Sequence, residues 1–300
     1  MLALRRLAAL AVLTTRAVGA QAPPLTDLWR VAGSTLPQPA ALASGPTGVF
    51  WNPAALAASP PLRTGSFEIL ETPDVLALGG FLASGQWRMT PRIVAGAVVG
   101  RMAVTDLVRT TTSPIALPGE IPVHSQIAGL GVGWHGGPLV LGLLVRAHET
   151  RLDAIREGGL TTDAGLRWTP VAPITLAAAT RFLGSRLQRN AVSELNVGLE
   201  GTIPVGSAWG SPARAVLGAG AGWHGAQHAE WGGGAVMVFS RRLRVSWGLT
   251  RERALEAIEW RHTLGLTFRT GHYTIHVARG EGLNGLGPTY RLGLTAATER

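Results

Sequence analysis

Apolar and polar side chains alternate along most of the chain. From residue 138 to 149, the apolar face carries Leu139, Leu141, Leu143, Val145 and Ala147, and the other face carries Gly142, Arg146 and His148. Residues 257–269 repeat the pattern, with His262 as the exception on the apolar face. Because successive side chains of a β-strand point to opposite sides, a period of two residues predicts strands with one hydrophobic face.

The alternating segments predict a series of short strands, each about ten residues long. They cover residues 64–72, 75–84, 92–105, 124–135, 138–149, 159–169, 173–183, 192–203, 213–224, 229–239, 243–251, 257–269, 272–280 and 288–297. Connections 136–137, 170–172, 204–212, 240–242 and 270–271 are mostly tight, and connections 106–123, 150–158, 184–191 and 281–287 are mostly longer. The tight connections join the strands at one end and the longer connections join them at the other. A soluble β-sandwich has no reason to keep this division, whereas a bacterial outer-membrane barrel has short periplasmic turns and longer outer loops. The sequence therefore predicts an all-β fold, a transmembrane antiparallel β-barrel of about fourteen strands.

Tryptophans support the same fold. Trp134, Trp168, Trp223, Trp231 and Trp260 lie near predicted strand ends. There an indole ring can sit at the lipid headgroup boundary with its N–H hydrated. Two of them fall in a near-repeat, residues 131–136 and 220–225, which reflects either two equivalent strand ends or biased composition.

Residues 1–22 have the order of a secretory signal peptide. Arg5 and Arg6 precede a short apolar stretch, and Ala20-Gln21-Ala22 supplies a small-x-small site before Pro23. The apolar stretch is too short to span a membrane as a helix. We therefore expect export and cleavage after Ala22 rather than an uncleaved helix. Export together with a β-rich body leaves the periplasm or the outer membrane, and the barrel pattern favours the bacterial outer membrane.

Composition excludes several kinds of chemistry. All 27 Lys and Arg residues are arginine and the chain has no cysteine, so it has no Schiff-base lysine, disulfide, thiol nucleophile or zinc-thiolate site. The net charge is +9, but the arginines are spread along the chain, and we expect no nucleic-acid partner. His272 and His276 would stand about 13 Å apart on a strand, too far for one metal ion. With no spacing that indicates a catalytic triad, we predict a protein that is not an enzyme and needs no cofactor or metal.

Residues 23–62 lack the alternation. An apolar, turn-forming stretch within them contains Gly48, Phe50, Trp51, Asn52, Pro53, Ala54 and Leu56. An asparagine before proline is biased out of the helical region and favours a rigid turn. Since the lumen of a barrel of about fourteen strands is too wide for its own side chains to fill, we expect this segment to pack inside as a plug rather than form an exposed linker.

These residues resemble the Asn-Pro-Ala box in the N-terminal hatch of the FadL-type superfamily, the long-chain fatty acid transporters of the outer membrane, and within it the shorter PorV/PorQ-like branch. The resemblance implies a barrel with an N-terminal plug and, for transporting members, passive uptake of hydrophobic compounds. The long outer loops that form the ligand groove of the best-known members are not evident here. The expected domains are a signal peptide at 1–22, a plug or hatch at 23–62 and the barrel at 63–300. The turn at Asn52 either only anchors the plug or takes part in gating.

Charged residues occupy the predicted inward faces of the strands. They are Arg146, His148, Asp163, Arg167, Arg181, Glu194, Glu200, Arg244, Arg261, Arg269 and Arg291. Buried charges need partners, so these residues either form ion pairs that stiffen the lumen or line an anion-selective passage.

The sequence predicts a passive outer-membrane channel for small hydrophobic compounds, gated by an N-terminal hatch. A second hypothesis is a PorV-like barrel that acts as a docking or shuttle component of a protein secretion system and transports no small molecule. A third is a purely structural barrel. Outer-membrane lipid is the expected partner in each case, with a hydrophobic small molecule in the first and a protein in the second.

Overall fold

The computed structural model describes residues 27–58, 62–72, 77–110, 116–184, 193–208, 211–224, 228–240, 242–254, 257–282 and 287–298. The predicted signal peptide lies outside these ranges, so the cleavage site stays a prediction. Over the described ranges, fourteen antiparallel strands form a closed barrel. Among the same residues, no helix is long and apolar enough to cross a membrane.

The described ranges contain sixteen strands. They are β1 (Arg63–Thr72), β2 (Leu78–Arg88), β3 (Ile93–Val104), β4 (Val108–Thr110), β5 (Ala116–Glu120), β6 (Val123–Gly136), β7 (Leu139–Leu152), β8 (Ile155–Val171), β9 (Ile174–Gly184), β10 (Glu194–Ala208), β11 (Ser211–His224), β12 (His228–Val238), β13 (Leu243–Ala254), β14 (Ala257–Thr270), β15 (Tyr273–Gly280) and β16 (Thr289–Thr298). β4 and β5 form a separate two-stranded sheet, and the other strands form the barrel. Before β1 come helix α1 (Asp27–Gly33), two 3₁₀ turns (Ala40–Leu42 and Thr47–Phe50) and the short helix α2 (Ala55–Ala58).

The barrel closes by pairing β1 with β16, so that Arg63 lies opposite Thr298. Closure gives both edges of every barrel strand a partner, which satisfies the backbone groups that lipid cannot hydrogen-bond. The predicted fold class, an all-β antiparallel barrel of about fourteen strands, is confirmed. We call the end where β1 begins and β16 ends the terminal end, and the opposite end the distal end.

The outer surface of the barrel is apolar. On β7, Leu143 and Val145 are each 54% exposed, whereas Leu144 between them points inward and is fully buried. Trp134 and Trp168 lie at the terminal end, and Trp223, Trp231 and Trp260 lie toward the distal end. The two halves of the near-repeat are therefore both strand ends, but at opposite ends of the barrel. An apolar belt bordered by indole rings is typical of a barrel that faces lipid.

Three predicted connections differ from the structure. The expected outer loop 150–158 is wrong, because β7 and β8 continue until a tight turn at Asp153 and Ala154. The expected turn 204–212 is also mostly strand, and the loop 106–123 contains the β4–β5 hairpin. β2 begins and ends later than the predicted 75–84. Strand pairing uses backbone groups, so strands continue past the apolar belt where the alternation that predicts them has ended.

Candidate functional site

Residues 27–58, which we call the inner segment, contact the inward faces of strands on several sides of the barrel. Trp29 donates a hydrogen bond from Nε1 to Ser125 Oγ on β6 at 2.9 Å. On the opposite wall, Thr263 of β14 donates to the Ser34 carbonyl at 2.7 Å. These contacts place the segment within the lumen. Its role as a plug is part of the function proposed below.

Asn52 fixes the turn at the centre of the inner segment. Its side chain is fully buried. Nδ2 donates to the Ala41 carbonyl at 2.6 Å, and Oδ1 accepts from the Ala54 backbone N–H at 2.9 Å. The second hydrogen bond closes the local asparagine turn that the Asn-Pro-Ala sequence favours. The first joins two parts of the segment that are eleven residues apart.

Glycines on the barrel wall make room for this turn. A β-carbon added at Gly142 of β7 would lie 2.2 Å from the Pro53 carbonyl carbon, and one added at Gly165 of β8 would lie 2.0 Å from Asn52 Oδ1. Gly133 of β6 pairs with Gly142, and Gly142 pairs with Gly165. A glycine row therefore crosses three adjacent strands where the turn is seated. The alternation puts Gly142 on the face opposite the apolar one but gives no sign of what packs against it.

Two buried ion pairs lie beside the turn. Arg146 of β7 pairs with Asp163 of β8, and Arg181 of β9 pairs with Glu194 of β10. All four side chains are buried. The Asp163 carboxylate also accepts a hydrogen bond from the Phe182 backbone N–H at 2.8 Å. Because an isolated charge at such a position would be strongly destabilising, each pair depends on both of its members.

The two arginines also bind the inner segment. Arg146 donates to the Phe50 carbonyl at 3.1 Å, and its guanidinium carbon lies 4.5 Å from the centre of the Phe50 ring. The guanidinium carbon of Arg181 lies 4.6 Å from the Trp51 ring. Cation–π contacts of this kind strengthen when they are shielded from water. The pairs therefore serve as fixed points on the wall against which Phe50 and Trp51 pack.

Other inward-facing charges contact the inner segment elsewhere. Arg167 donates to the Leu42 carbonyl at 3.1 Å and lies 3.9 Å from Glu200. Arg291 donates to the Ala32 carbonyl at 2.7 Å and lies 3.6 Å from Glu68 on β1. Glu68 was not among the predicted inward-facing charges, although the alternation of β1 places it inward.

Glu68 connects the segment to the wall. It accepts a hydrogen bond from Thr47 at 2.7 Å and lies 3.0 Å from His276 Nε2. His148, which was predicted to face the lumen, is half-buried on the inward side of β7. Arg244, Arg261 and Arg269 line cavities inside the barrel. A functional role for these residues stays a prediction. Within the described ranges, no group of three His, Cys, Asp or Glu side chains is arranged to hold a metal ion.

Two cavities lie on opposite sides of the inner segment. The terminal cavity, of about 330 Å³, lies between residues 35–48 and the wall formed by β12 to β16. The distal cavity, of about 80 Å³, lies between the segment and parts of β9 to β14. Leu36, Gln38 and Trp51 line both cavities. The layer between them is therefore built by the inner segment rather than by the barrel wall.

Part of the lumen wall is apolar. Leu70, Leu78, Leu82, Val98, Met102, Ile127 and Leu144 point inward from β1, β2, β3, β6 and β7 and form one cluster with the inner segment. Trp29, Phe50 and Leu56 cover this apolar wall. Interiors of water-filled outer-membrane barrels are polar, so an apolar inner wall needs an apolar occupant, which here is the segment itself.

No protein-family model matches the chain, and no curated protein matches its sequence. Solved structures do resemble it. The Pseudomonas putida toluene transporter TodX gives a TM-score of 0.58 at 11% identity, over 84% of this chain and 92% of the other. A Pseudomonas aeruginosa FadL homologue gives a TM-score of 0.55 at 11% identity, over 93% of this chain and 99% of the other. At this identity the likeness concerns the fold alone, and it shows that the chain shares the barrel fold of FadL-type bacterial proteins.

Proposed function

We propose that the chain is a passive outer-membrane channel for small hydrophobic compounds and that the inner segment is its hatch. The observation that carries this proposal is that Leu36, Gln38 and Trp51 separate the two cavities. All three belong to the inner segment, so a displacement of that segment alone would join the cavities. A change in the barrel wall, which closed strand pairing resists, would not be needed.

The apolar wall supports a hydrophobic solute. If the segment shifts, Leu70, Leu82 and Met102 lose their contacts with it and face the lumen. An apolar compound that covers them would gain roughly 25 cal/mol for each Å² of apolar surface removed from water. The structurally similar TodX is described as a toluene transporter, which supports the same class of solute here.

The surface of the barrel supports an outer-membrane location. The exposed apolar belt and its tryptophans fit contact with lipid. The predicted signal peptide supplies a route of export. A channel rather than an enzyme is also supported by the structurally similar toluene transporter.

A reversible disulfide tests whether the hatch moves. A β-carbon added at Gly220 would lie 2.7 Å from the Pro39 β-carbon and 2.5 Å from the Val197 carbonyl oxygen of β10. Pro39→Cys with Gly220→Cys therefore brings two thiols together once the segment yields by about 1 Å and the β10–β11 wall adjusts around the new side chain. The chain has no other cysteine. We expect oxidation to abolish toluene uptake into proteoliposomes and reduction of the same sample to restore it.

The matched control locks the segment where the chain already holds it. Ala57 lies close to the start of β1, and its β-carbon would be 2.9 Å from one added at Gly133. The double variant Ala57→Cys with Gly133→Cys should show the same uptake in its oxidised and its reduced form. Equal uptake by the oxidised and reduced Pro39–Gly220 variant, with the disulfide verified by mass spectrometry, would rule out the hatch.

The docking hypothesis has one specific feature in its favour. β10 pairs with β9 only as far as Gly201, and β11 pairs with β12 only from Arg214 onward. Residues 203–208 therefore pair only with residues 211–215 of β11, and this hairpin projects at the terminal end. Ile203 and Val205 are exposed on this hairpin. If neither lock changes uptake, crosslinking from Val205→Cys in whole cells is the next measurement, and a specific protein adduct would favour docking.

A further inference from the structure

The outer face of the barrel changes from apolar to charged toward the distal end of β3, β6, β7 and β8. Along β7, the outward residues are apolar over 141–147 and charged at Glu149 and Arg151. On β3, Arg101 is the next outward residue after the exposed Val99. The apolar belt of an outer-membrane barrel ends where the lipid headgroups begin. These charged residues therefore lie at the distal edge of the lipid-facing belt.

Strand pairing brings three arginines and a histidine together at this edge. Arg151 of β7 lies opposite His124 of β6 and Arg156 of β8. Arg101 of β3 lies opposite Gln126, the next outward residue to His124 on β6. Residues directly opposite each other on paired strands have β-carbons about 4.5–5.5 Å apart, so these side chains share one surface. We call Arg101, His124, Arg151 and Arg156 the distal patch.

Two carboxylates that adjoin the distal patch are already engaged. Glu149 pairs with Arg156, and its other carboxylate oxygen lies 3.6 Å from His124 Nε2. Asp153, in the β7–β8 turn, pairs with Arg109 of β4. These carboxylates therefore offset the charges of Arg156 and Arg109 rather than those of the other two arginines of the patch.

Arg101 and Arg151 supply the positive charge that is left. Both side chains are exposed. In the part of the chain that the structure describes, neither forms an ion pair with a carboxylate. Nε of Arg151 donates to the Asp153 carbonyl at 3.1 Å, which leaves the terminal nitrogens of this side chain for another acceptor. Two exposed guanidinium groups on one surface attract an anion.

The apolar belt continues directly below the distal patch on the same strands. Val99 of β3, Leu130 of β6 and Val145 of β7 are 44%, 69% and 54% exposed. A soluble anion would use only the arginines, and a hydrocarbon would use only the belt. A lipid with a phosphorylated headgroup uses both, because its phosphates and its acyl chains meet the barrel at these two levels.

We propose that the distal patch is a binding site for a phosphorylated lipid of the outer leaflet, a lipopolysaccharide. Arg101 and Arg151 hold its phosphate groups, since planar guanidinium groups match a phosphate through paired hydrogen bonds. Its acyl chains lie on the belt below. The outer leaflet is the source of the lipid because the predicted topology turns the distal end outward. The site is on the outside of the barrel, so it is independent of the proposed channel and of what occupies the lumen.

Lipid binding tests the site without any transport step. The full chain in dodecyl maltoside micelles is titrated with purified bisphosphorylated lipid A, and native mass spectrometry measures the bound fraction. We expect saturable binding, and at least about tenfold lower affinity for the double variant Arg101→Gln with Arg151→Gln, because it removes charge-assisted hydrogen bonds. The matched control is Arg63→Gln with Arg92→Gln, which removes two exposed arginines at the terminal end. It should bind lipid A as the unsubstituted chain does, and heat-shifted gel mobility verifies that both variants are folded.

Three outcomes would overturn the proposal. Equal affinity for lipid A and for its dephosphorylated form would show that the arginines do not recognise phosphate. Equally tight binding of phosphatidylglycerol would show a surface for any anionic lipid, with no preference for the lipid of the outer leaflet. An equal loss of binding in the control variant would show a general effect of net charge rather than a site. None of these involves the hatch or the lumen, so failure of the channel proposal is read separately.

Discussion

Gly165 of β8 and Asn52 of the inner segment are complementary in shape, because a β-carbon on the glycine would lie 2.0 Å from the asparagine Oδ1. That oxygen is not free to move away, since it accepts the Ala54 backbone N–H. Gly142 of β7 stands in the same relation to Pro53. The missing side chains of the wall are therefore as important for seating the turn as the residues of the turn itself.

A methyl group at position 165 should displace the turn. We expect Gly165→Ala to destabilise the seated segment by about 1–3 kcal/mol, the usual range for overpacking. The barrel should still fold, and single-channel conductance in planar bilayers should rise. Gly201→Ala on β10 is the control, because a β-carbon there would have nothing within 4 Å. Identical conductance for the two variants would mean that the turn adapts without leaving its seat.

Loss of the Asn52 side chain should loosen the inner segment from within. Asn52→Ala leaves the Ala41 carbonyl and the Ala54 N–H without their partner, which costs about 1–3 kcal/mol for each buried group. We expect faster cleavage of the segment by added protease and a smaller rise in conductance than deletion of residues 27–58 gives. Ser44→Ala, at an exposed position of the same segment, should match the wild type in both measurements.

The sequence predicts the barrel well because alternation reports which face of each strand is apolar. Leu143 and Val145 were placed outward and Arg146 inward, and the structure has them so. The ends of the strands are predicted less accurately than their faces. The segment 150–158 reads as a loop because Glu149, Arg151 and Asp153 break the apolar pattern, yet β7 extends to Leu152 through backbone pairing with β6 and β8.

Side-chain partners on the inner wall are harder to predict. A period of two residues tells which face of the sheet a residue occupies, but it does not tell which residue of the neighbouring strand lies opposite it. Arg181 and Glu194 come to lie opposite each other only because β9 and β10 pair in one particular register. The contacts of Gly142 and Gly165 with the turn depend on the path of the inner segment. That path cannot be predicted from the sequence, because the segment has no periodic pattern. Recurrent glycines on inward positions, such as Gly131 and Gly133, were a signal that something packs closely there.

The buried ion pair beside Phe50 should be strongly coupled. Arg146→Met leaves Asp163 charged, fully buried and without its guanidinium partner, and we expect a loss of about 3–5 kcal/mol in the free energy of unfolding. Adding Asp163→Asn removes the charge while an amide oxygen can still accept the Phe182 N–H. The double variant should therefore recover much of the loss. Urea unfolding in lipid vesicles, analysed as a double-mutant cycle, measures the coupling.

Additive effects of the two substitutions would show that the pair contributes no mutual stabilisation. A surface pair gives the comparison. Arg156 and Glu149 form an ion pair toward the distal end, with the Arg156 side chain 69% exposed. The same cycle on Arg156→Met and Glu149→Gln should give a coupling within about 1 kcal/mol, as solvent-exposed pairs do.

The orientation of the barrel can be read from two turns at opposite ends. The predicted topology puts the short turns in the periplasm. The β14–β15 turn at the terminal end should therefore face the periplasm, and the β7–β8 turn at the distal end should face the outside of the cell. Ala154→Cys and His272→Cys each add the only thiol to a cysteine-free chain, in these respective turns. On whole cells, we expect an impermeant maleimide to label Ala154→Cys alone, and both variants to be labelled after lysis. Labelling of His272→Cys alone on intact cells would invert the barrel and place the arginine-lined terminal cavity at the cell surface, where it would meet external solutes first.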